Sequence, residues 1–344
     1  MKVRFESIGL YLPEKIVQTQ ELISRMKTKP VFDFEKITGI KSRRVRGDNE
    51  NSLVLALNAA EDCLSRSIYS ASELDVIIYC SITRFKENSK FLFEPSMSLF
   101  IKRKLGANVA INFDISNACA GMITGVYILK NMIESGSVKN GMVISGESIT
   151  HIADTAVKEI QNQIDDQFAS LTVGDSGAAC IMDRAYNDRY GIDFIDFRTF
   201  AHYSELCFGM PSNMGTGIAM YTDTKAMSSR ELMDIWPRYL EEVLEKNNMT
   251  YDPNQWDYII THQIAVGTIH KYLQVGEEYF KKKMPPTLIS VDEYGNTSTT
   301  THFVVLHKYL KEKKLKEGSR VLIMSTASGI QMGFMSFSIH DMGL

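Results

Sequence analysis

Asp114-Ile115-Ser116-Asn117-Ala118-Cys119-Ala120-Gly121 is the stretch from which the fold can be read. An apolar run over 110–115 leads into it as a strand that ends at Ser116, and an amphipathic stretch over 121–135 leads out of it as a helix. A strand that passes into a helix through a few small residues is the joint from which α/β folds are built. It puts Cys119 at a helix N-terminus, where unpaired N–H groups and the helix dipole favour a thiolate. Such sites can bring a thiol pKa from about 8.5 into the range of roughly 3.5–7.5. A small buried cysteine that merely packs is the ordinary alternative. The flanking Ala118, Ala120 and Gly121 leave room for a substrate and favour the nucleophile.

Outward from this joint the same alternation recurs. Short apolar runs at 76–79, 142–145, 258–261 and 320–324 read as central strands, each bounded by polar or glycine-containing turns. Amphipathic stretches at 53–65, 231–247 and 302–313 lie between them. The expectation is an α/β fold with helices on both faces of mostly parallel sheets. The chain also divides into two faintly similar halves, 1–169 carrying Cys119 and 170–344 carrying the later candidates. No low-complexity linker separates them, so the halves should pack intimately.

Composition narrows the class. The chain has 344 residues, 44% hydrophobic and 23% charged, with a formal net charge of −3. That is ordinary for a globular protein and gives no basis for nucleic-acid binding. The N-terminus lacks the uninterrupted apolar stretch of a signal peptide, and no run approaches the roughly 20 residues of a membrane span. The five cysteines are odd in number and never form a CxxC pair. This argues against a disulfide framework or a zinc site, and for a reducing, cytoplasmic setting.

Two further residues stand at strand ends. His262 follows the apolar run 257–261, where open α/β sheets place their ligands. Asn296 lies in Asp292-Glu293-Tyr294-Gly295-Asn296-Thr297-Ser298, read as following a strand at 287–291. Alone, the first is an ordinary structural histidine and the second good turn chemistry. Together with Cys119 they form the set that an activated nucleophile requires.

That ordered set resembles ketoacyl-acyl-carrier-protein synthase III and its relatives in the thiolase superfamily. The matching stretches are Thr38-Gly39-Ile40-Lys41-Ser42-Arg43-Arg44, Asn117-Ala118-Cys119-Ala120-Gly121, Val173-Gly174-Asp175-Ser176-Gly177-Ala178-Ala179, His262-Gln263, Tyr294-Gly295-Asn296-Thr297-Ser298 and Ser328-Gly329. The resemblance implies a five-layered αβαβα thiolase fold with two pseudo-equivalent halves, and a homodimer. It also implies that Cys119 accepts an acyl group from acyl carrier protein or coenzyme A, with no further cofactor and no metal. His262 and Asn296 would steady an enolate, and the backbone N–H groups of Cys119 and Ser328 would form the oxyanion hole.

Several residues depart from the family pattern. Glu94-Pro95-Ser96 has a carboxylate where the ordinary type III enzyme has phenylalanine. This feature resembles enzymes that join two acyl chains head to head, and the pyrone- and cyclohexanedione-forming ketosynthases. It makes Glu94 of a neighbouring subunit a candidate base. Asp33, between Phe32 and Phe34, stands where the family has an adenine-stacking tryptophan. Ala265 and Gly267 replace the usual Asn and Arg, leaving Lys41, Arg43, Arg44 and Arg46 as the basic groups for a carrier. The leading expectation is therefore Claisen condensation of two acyl thioesters in specialised lipid or polyketide synthesis. The alternatives are conventional initiation of fatty-acid synthesis with malonyl-carrier protein, acyl transfer to an alcohol or amine, and a non-catalytic scaffold.

Overall fold

Val76, Ile77, Ile78 and Tyr79 all have no accessible surface, and their side chains go alternately to two different cores. A strand of this kind needs cover on both faces, and the rest of the architecture follows. The computed structural model describes residues 2–87, 90–187 and 189–342. β1 (Val3–Tyr11), β2 (Val76–Tyr79), β3 (Ile111–Asp114), β4 (Asn140–Glu147) and β5 (Ser176–Arg184) form one sheet in the order β1-β5-β4-β2-β3. β6 (Gly191–Thr199), β7 (Tyr258–Thr261), β8 (Arg320–Ala327) and β9 (Gln331–Ser338) form a second, in the order β6-β9-β8-β7.

Helices separate and cover the sheets. α1 (Ser52–Leu64) lays Ala56, Ala59 and Cys63 on Ile77, Ile144 and Ala179, on the outer face of the first sheet. α2 (Gly121–Glu134) and α5 (Thr301–Lys311) fill the middle layer. There Ile123, Val126, Phe303 and Leu306 share one core with Val76 and Ile78 of the first sheet and Val321 and Ile323 of the second. α3 (Ile235–Lys246) and α4 (Val266–Phe280) close the far side, where Trp236 and Leu240 share a core with Ile259 and Leu322. The result is the five-layered αβαβα thiolase fold. Each buried aliphatic or aromatic side chain stabilises it by roughly 1.5–3 kcal/mol.

Three expectations change. The sheets are mixed: β2 runs parallel to β3 and β4, and β7 to β8, whereas β1/β5, β4/β5, β6/β9 and β8/β9 are antiparallel. Strands joined by a short turn, as β8 and β9 are through 328–330, have to run antiparallel. The proposed strand at 287–291 reduces to a single bridge between Thr287 and Ile259, and Val291–Tyr294 is a short helix. Finally β5, assigned from the sequence to the second half, completes the first sheet.

Candidate active site

Cys119 lies in a single 3-10 turn, Ala118–Ala120, that runs directly into α2. The helix can start here because Gly121 has no side chain: a Cβ would come within 2.2 Å of the carbonyl of Cys80 at the end of β2. Asn117 Nδ2 donates to Thr124 Oγ1 at 2.7 Å and fastens the turn to the first helical turn. Ala118, just before Cys119, has φ +43°. A left-handed alanine costs on the order of 1–3 kcal/mol and marks a site that the surroundings hold in place.

The cysteine is half-buried, and its surroundings act against the expected thiolate. Burial pushes the Cys119 thiol up to about 12, with the Ser298 hydroxyl, 3.8 Å from Sγ, pulling weakly the other way. Loss of hydration outweighs the hydrogen bond from Ser298, the largest contribution that favours the charged form. The resting site holds a thiol.

Asn296 is brought to the same place by a buried network. Its N–H donates to the carbonyl of Thr172 at 2.9 Å, and its carbonyl accepts from the N–H of Gly174 at 3.0 Å. Asn296 Oδ1 accepts from the N–H of Ser298 at 3.0 Å, so the side chain's free donors are those of Nδ2. Ser298, whose hydroxyl faces the thiol, has φ +57° and is a second strained residue. Thr299 Oγ1 donates to Glu147 Oε1 at 2.6 Å, and Glu147 also accepts from the N–H groups of Ile82 and Thr83. Thr300 is tied to Ser176 through their hydroxyls, 2.5 Å apart. The Val173–Ala179 motif thus proves to be scaffolding for the asparagine loop. Asp175 is fully buried there and accepts from both the N–H and the hydroxyl of Thr150.

Gly174 sits against this loop so closely that a Cβ would lie 2.0 Å from the carbonyl of Tyr294. Gly174→Ala is expected to cost about 1–3 kcal/mol of stability, since no backbone can yield that distance cheaply. Thermal unfolding of the purified variant measures it. An unchanged Tm would show that the loop is looser than its packing implies.

His262 begins where β7 ends, and its N–H donates to the carbonyl of Met324 on β8 at 3.0 Å. The Ala118–Ala120 turn packs against β8 and against the Ser298–Thr300 turn. The Cys119 turn thereby packs on the Asn296 loop and on β8, the strand that also holds the His262 backbone. Burial, helped by the neighbouring His302, holds the His262 imidazole down to about 3. It is a neutral hydrogen-bond donor throughout the physiological range. The cavity of about 20 Å³ on its flank, against Thr268, Ile269 and Tyr272, has room for roughly one water and not for a substrate.

The other sequence candidates fall in different places. Ser328 lies in the β8–β9 turn, close to the Cys207 thiol. Glu94 is exposed and sits outside this cluster, just before the helix Met97–Leu105 at the β3 edge of the first sheet. Of the four basic residues assigned to carrier docking only Lys41 is exposed, and Arg43 is 1% exposed, hydrogen-bonded to Leu171 and Thr19. Arg43 is therefore a core residue, a correction that its place in a charge run concealed. Asp33 caps the short helix Phe34–Thr38 through the N–H of Lys36. Sequence reasoning missed Glu147 and His302, because nothing local distinguishes a buried network partner from a surface residue. Among the described residues no group of three His, Cys, Asp or Glu side chains could hold a metal ion. No helix of the described residues is long and apolar enough to cross a membrane.

Comparison with known proteins fits this geometry. The family model described as 3-oxoacyl-[acyl-carrier-protein (ACP)] synthase III matches residues 113–202, and its C-terminal counterpart matches 244–339. Beta-ketoacyl-[acyl-carrier-protein] synthase III of Rickettsia bellii is 28% identical over 335 residues, covering 97% of this chain and 98% of its own. The Aquifex aeolicus protein of the same name is 28% identical over 339 residues, covering 97% and 98%. The crystal structure of the 3-oxoacyl-[acyl-carrier-protein] synthase III from A. aeolicus superposes with a TM-score of 0.79 at 25% identity, covering 98% of this chain and 100% of that one. Xanthomonas campestris OleA with bound lauric acid and lauroyl-CoA superposes at 0.83 with 19% identity, covering 98% and 99%, which speaks for the fold alone.

Proposed function

This chain belongs to the 3-oxoacyl-[acyl-carrier-protein] synthase III family of thiolase-superfamily condensing enzymes, and from that premise we propose that it initiates acyl-chain synthesis by decarboxylative condensation on Cys119. The observation that carries the reading is the pairing of a thiol with two neutral donors, the buried imidazole of His262 and the free Nδ2 of Asn296. Simple acyl transfer to an alcohol or amine needs no such enolate holder.

In the first half-reaction the Cys119 sulfur attacks an acyl thioester, and the thiol proton leaves on the departing carrier or coenzyme A thiol. In the second, a malonyl thioester loses carbon dioxide. The resulting enolate oxygen is held by His262 and Asn296, and its carbon attacks the acyl-Cys119 carbonyl. The N–H groups of Cys119 and Ser328 receive the oxyanion, and collapse returns the Cys119 thiolate, which is reprotonated. Neutral donors suit this sequence because neither delivers a proton to the carbanion before it reacts.

The sequence favoured non-decarboxylative joining of two acyl chains with Glu94 as base; the family relatives weigh for the malonyl reaction instead. One observation keeps the second reading in play. β3 is an edge strand, and Ile111, Val109, Phe91, Phe93 and Leu99 stand exposed near it together with Glu94. An open edge with apolar flanks is suited to pairing with a second copy. We therefore propose a homodimer, in which Glu94 would reach the partner's site, working in the cytoplasm. The test is product formation from malonyl-carrier protein and a panel of acyl thioesters from acetyl to lauroyl. Glu94→Ala is expected to keep this activity within about twofold, because loss of carbon dioxide supplies the enolate and leaves no α-proton for a carboxylate base to remove. Its loss, with condensation proceeding from acyl thioesters alone, would transfer the assignment to the head-to-head reaction.

A further inference from the structure

His302 has no accessible surface and lies in the first turn of α5, in the layer between the sheets. An imidazole in such a place costs free energy unless it is bonded, and an aliphatic side chain would fill the space without that cost. Its Nε2 is 3.4 Å from the carbonyl of Met324, the same oxygen that accepts the backbone N–H of His262 at 3.0 Å. The two rings lie 6.0 Å apart, tilted by 37°. Because Met324 O can only accept, the proton of neutral His302 sits on Nε2 and its Nδ1 is bare. The Nδ1 of His262 is likewise buried with no protein partner. An unpaired lone pair is easier to bury than an unpaired N–H, so the His262 proton also sits on Nε2, free for a substrate oxygen.

We infer that His302 is a positioning residue for the condensation step: it clamps the Met324 carbonyl that anchors His262 and so fixes where the His262 Nε2–H points. The inference rests on the reading of Cys119, His262 and Asn296 as the condensing centre. It assigns His302 to one half-reaction only, because acyl loading of Cys119 does not use the His262 donor while enolate capture does. Burial holds the His302 imidazole down to about 4, so it acts as a neutral donor and not as a second proton source.

The test separates the half-reactions. Wild type, His302→Phe and His302→Gln are loaded with an acyl-coenzyme A, the adduct on the Cys119 peptide is followed by mass, and the loaded proteins are then given malonyl-carrier protein. Phenylalanine fills the space without a donor, and glutamine restores one. H302F is expected to load at the wild-type rate and to condense on the order of tenfold more slowly, the scale on which a displaced catalytic donor is felt. H302Q should recover most of that loss. Should H302F not fold, His302→Leu takes its place. The inference is overturned if the donor-less variant condenses as wild type does, if loading and condensation fall together, or if glutamine rescues nothing. A wild-type protein that never carries the adduct would instead sink the condensing reading itself.

Discussion

Cys119→Ala is expected to abolish product formation, by a factor on the order of 10⁴ or more, because no other group can carry the covalent intermediate. Mass analysis should find an acyl adduct on the Cys119 peptide of the wild type and none anywhere in the variant. An adduct that persists on another thiol would move the nucleophile elsewhere, and Cys207, beside Ser328, is the first place to look. The same thiol makes a pH prediction with a definite sign. With its pKa pushed up to about 12 by burial, the thiolate fraction is small at neutral pH and rises with pH. Iodoacetamide alkylation of Cys119 should therefore climb about tenfold per pH unit through the mildly alkaline range. A plateau near neutral pH would mean that the N-terminus of α2 prevails over desolvation after all.

His262→Ala and Asn296→Ala are each expected to slow condensation by about 10²–10³, the usual loss for one donor to a developing oxyanion, or roughly 2.7–4 kcal/mol of barrier. Acyl loading should survive in both variants. Preloaded enzyme mixed with malonyl-carrier protein in a single turnover reads the second step alone. Because burial keeps the His262 imidazole neutral down to about 3, that step should show no inflection near the ordinary histidine value of about 6.5. Such an inflection would indicate a charged, solvated imidazole, and equal losses of loading and condensation would make His262 and Asn296 structural.

The candidate site was partly legible because its members stand where local patterns change. Cys119 and His262 each follow a short apolar strand, and Asn296 sits in a turn whose residue types announce it. The same local signals failed where long-range pairing decides. β5 reads like any buried strand, and only its hydrogen bonds to β1 and β4 assign it to the first sheet. Arg43 looked like part of a basic face because its neighbours are basic, although its guanidinium is turned into the core.

From the sequence alone came the α/β class, the strand-to-helix joints and the three residue types of the site, since these depend on periodicity and on neighbours a few positions away. The tertiary structure alone decided the protonation of Cys119 and His262, the stitching of the asparagine loop by Glu147 and Ser176, and the place of His302. Those depend on how much water is removed and on which distant groups replace it. Desolvation is a property of three-dimensional packing, and no pattern along the chain carries it.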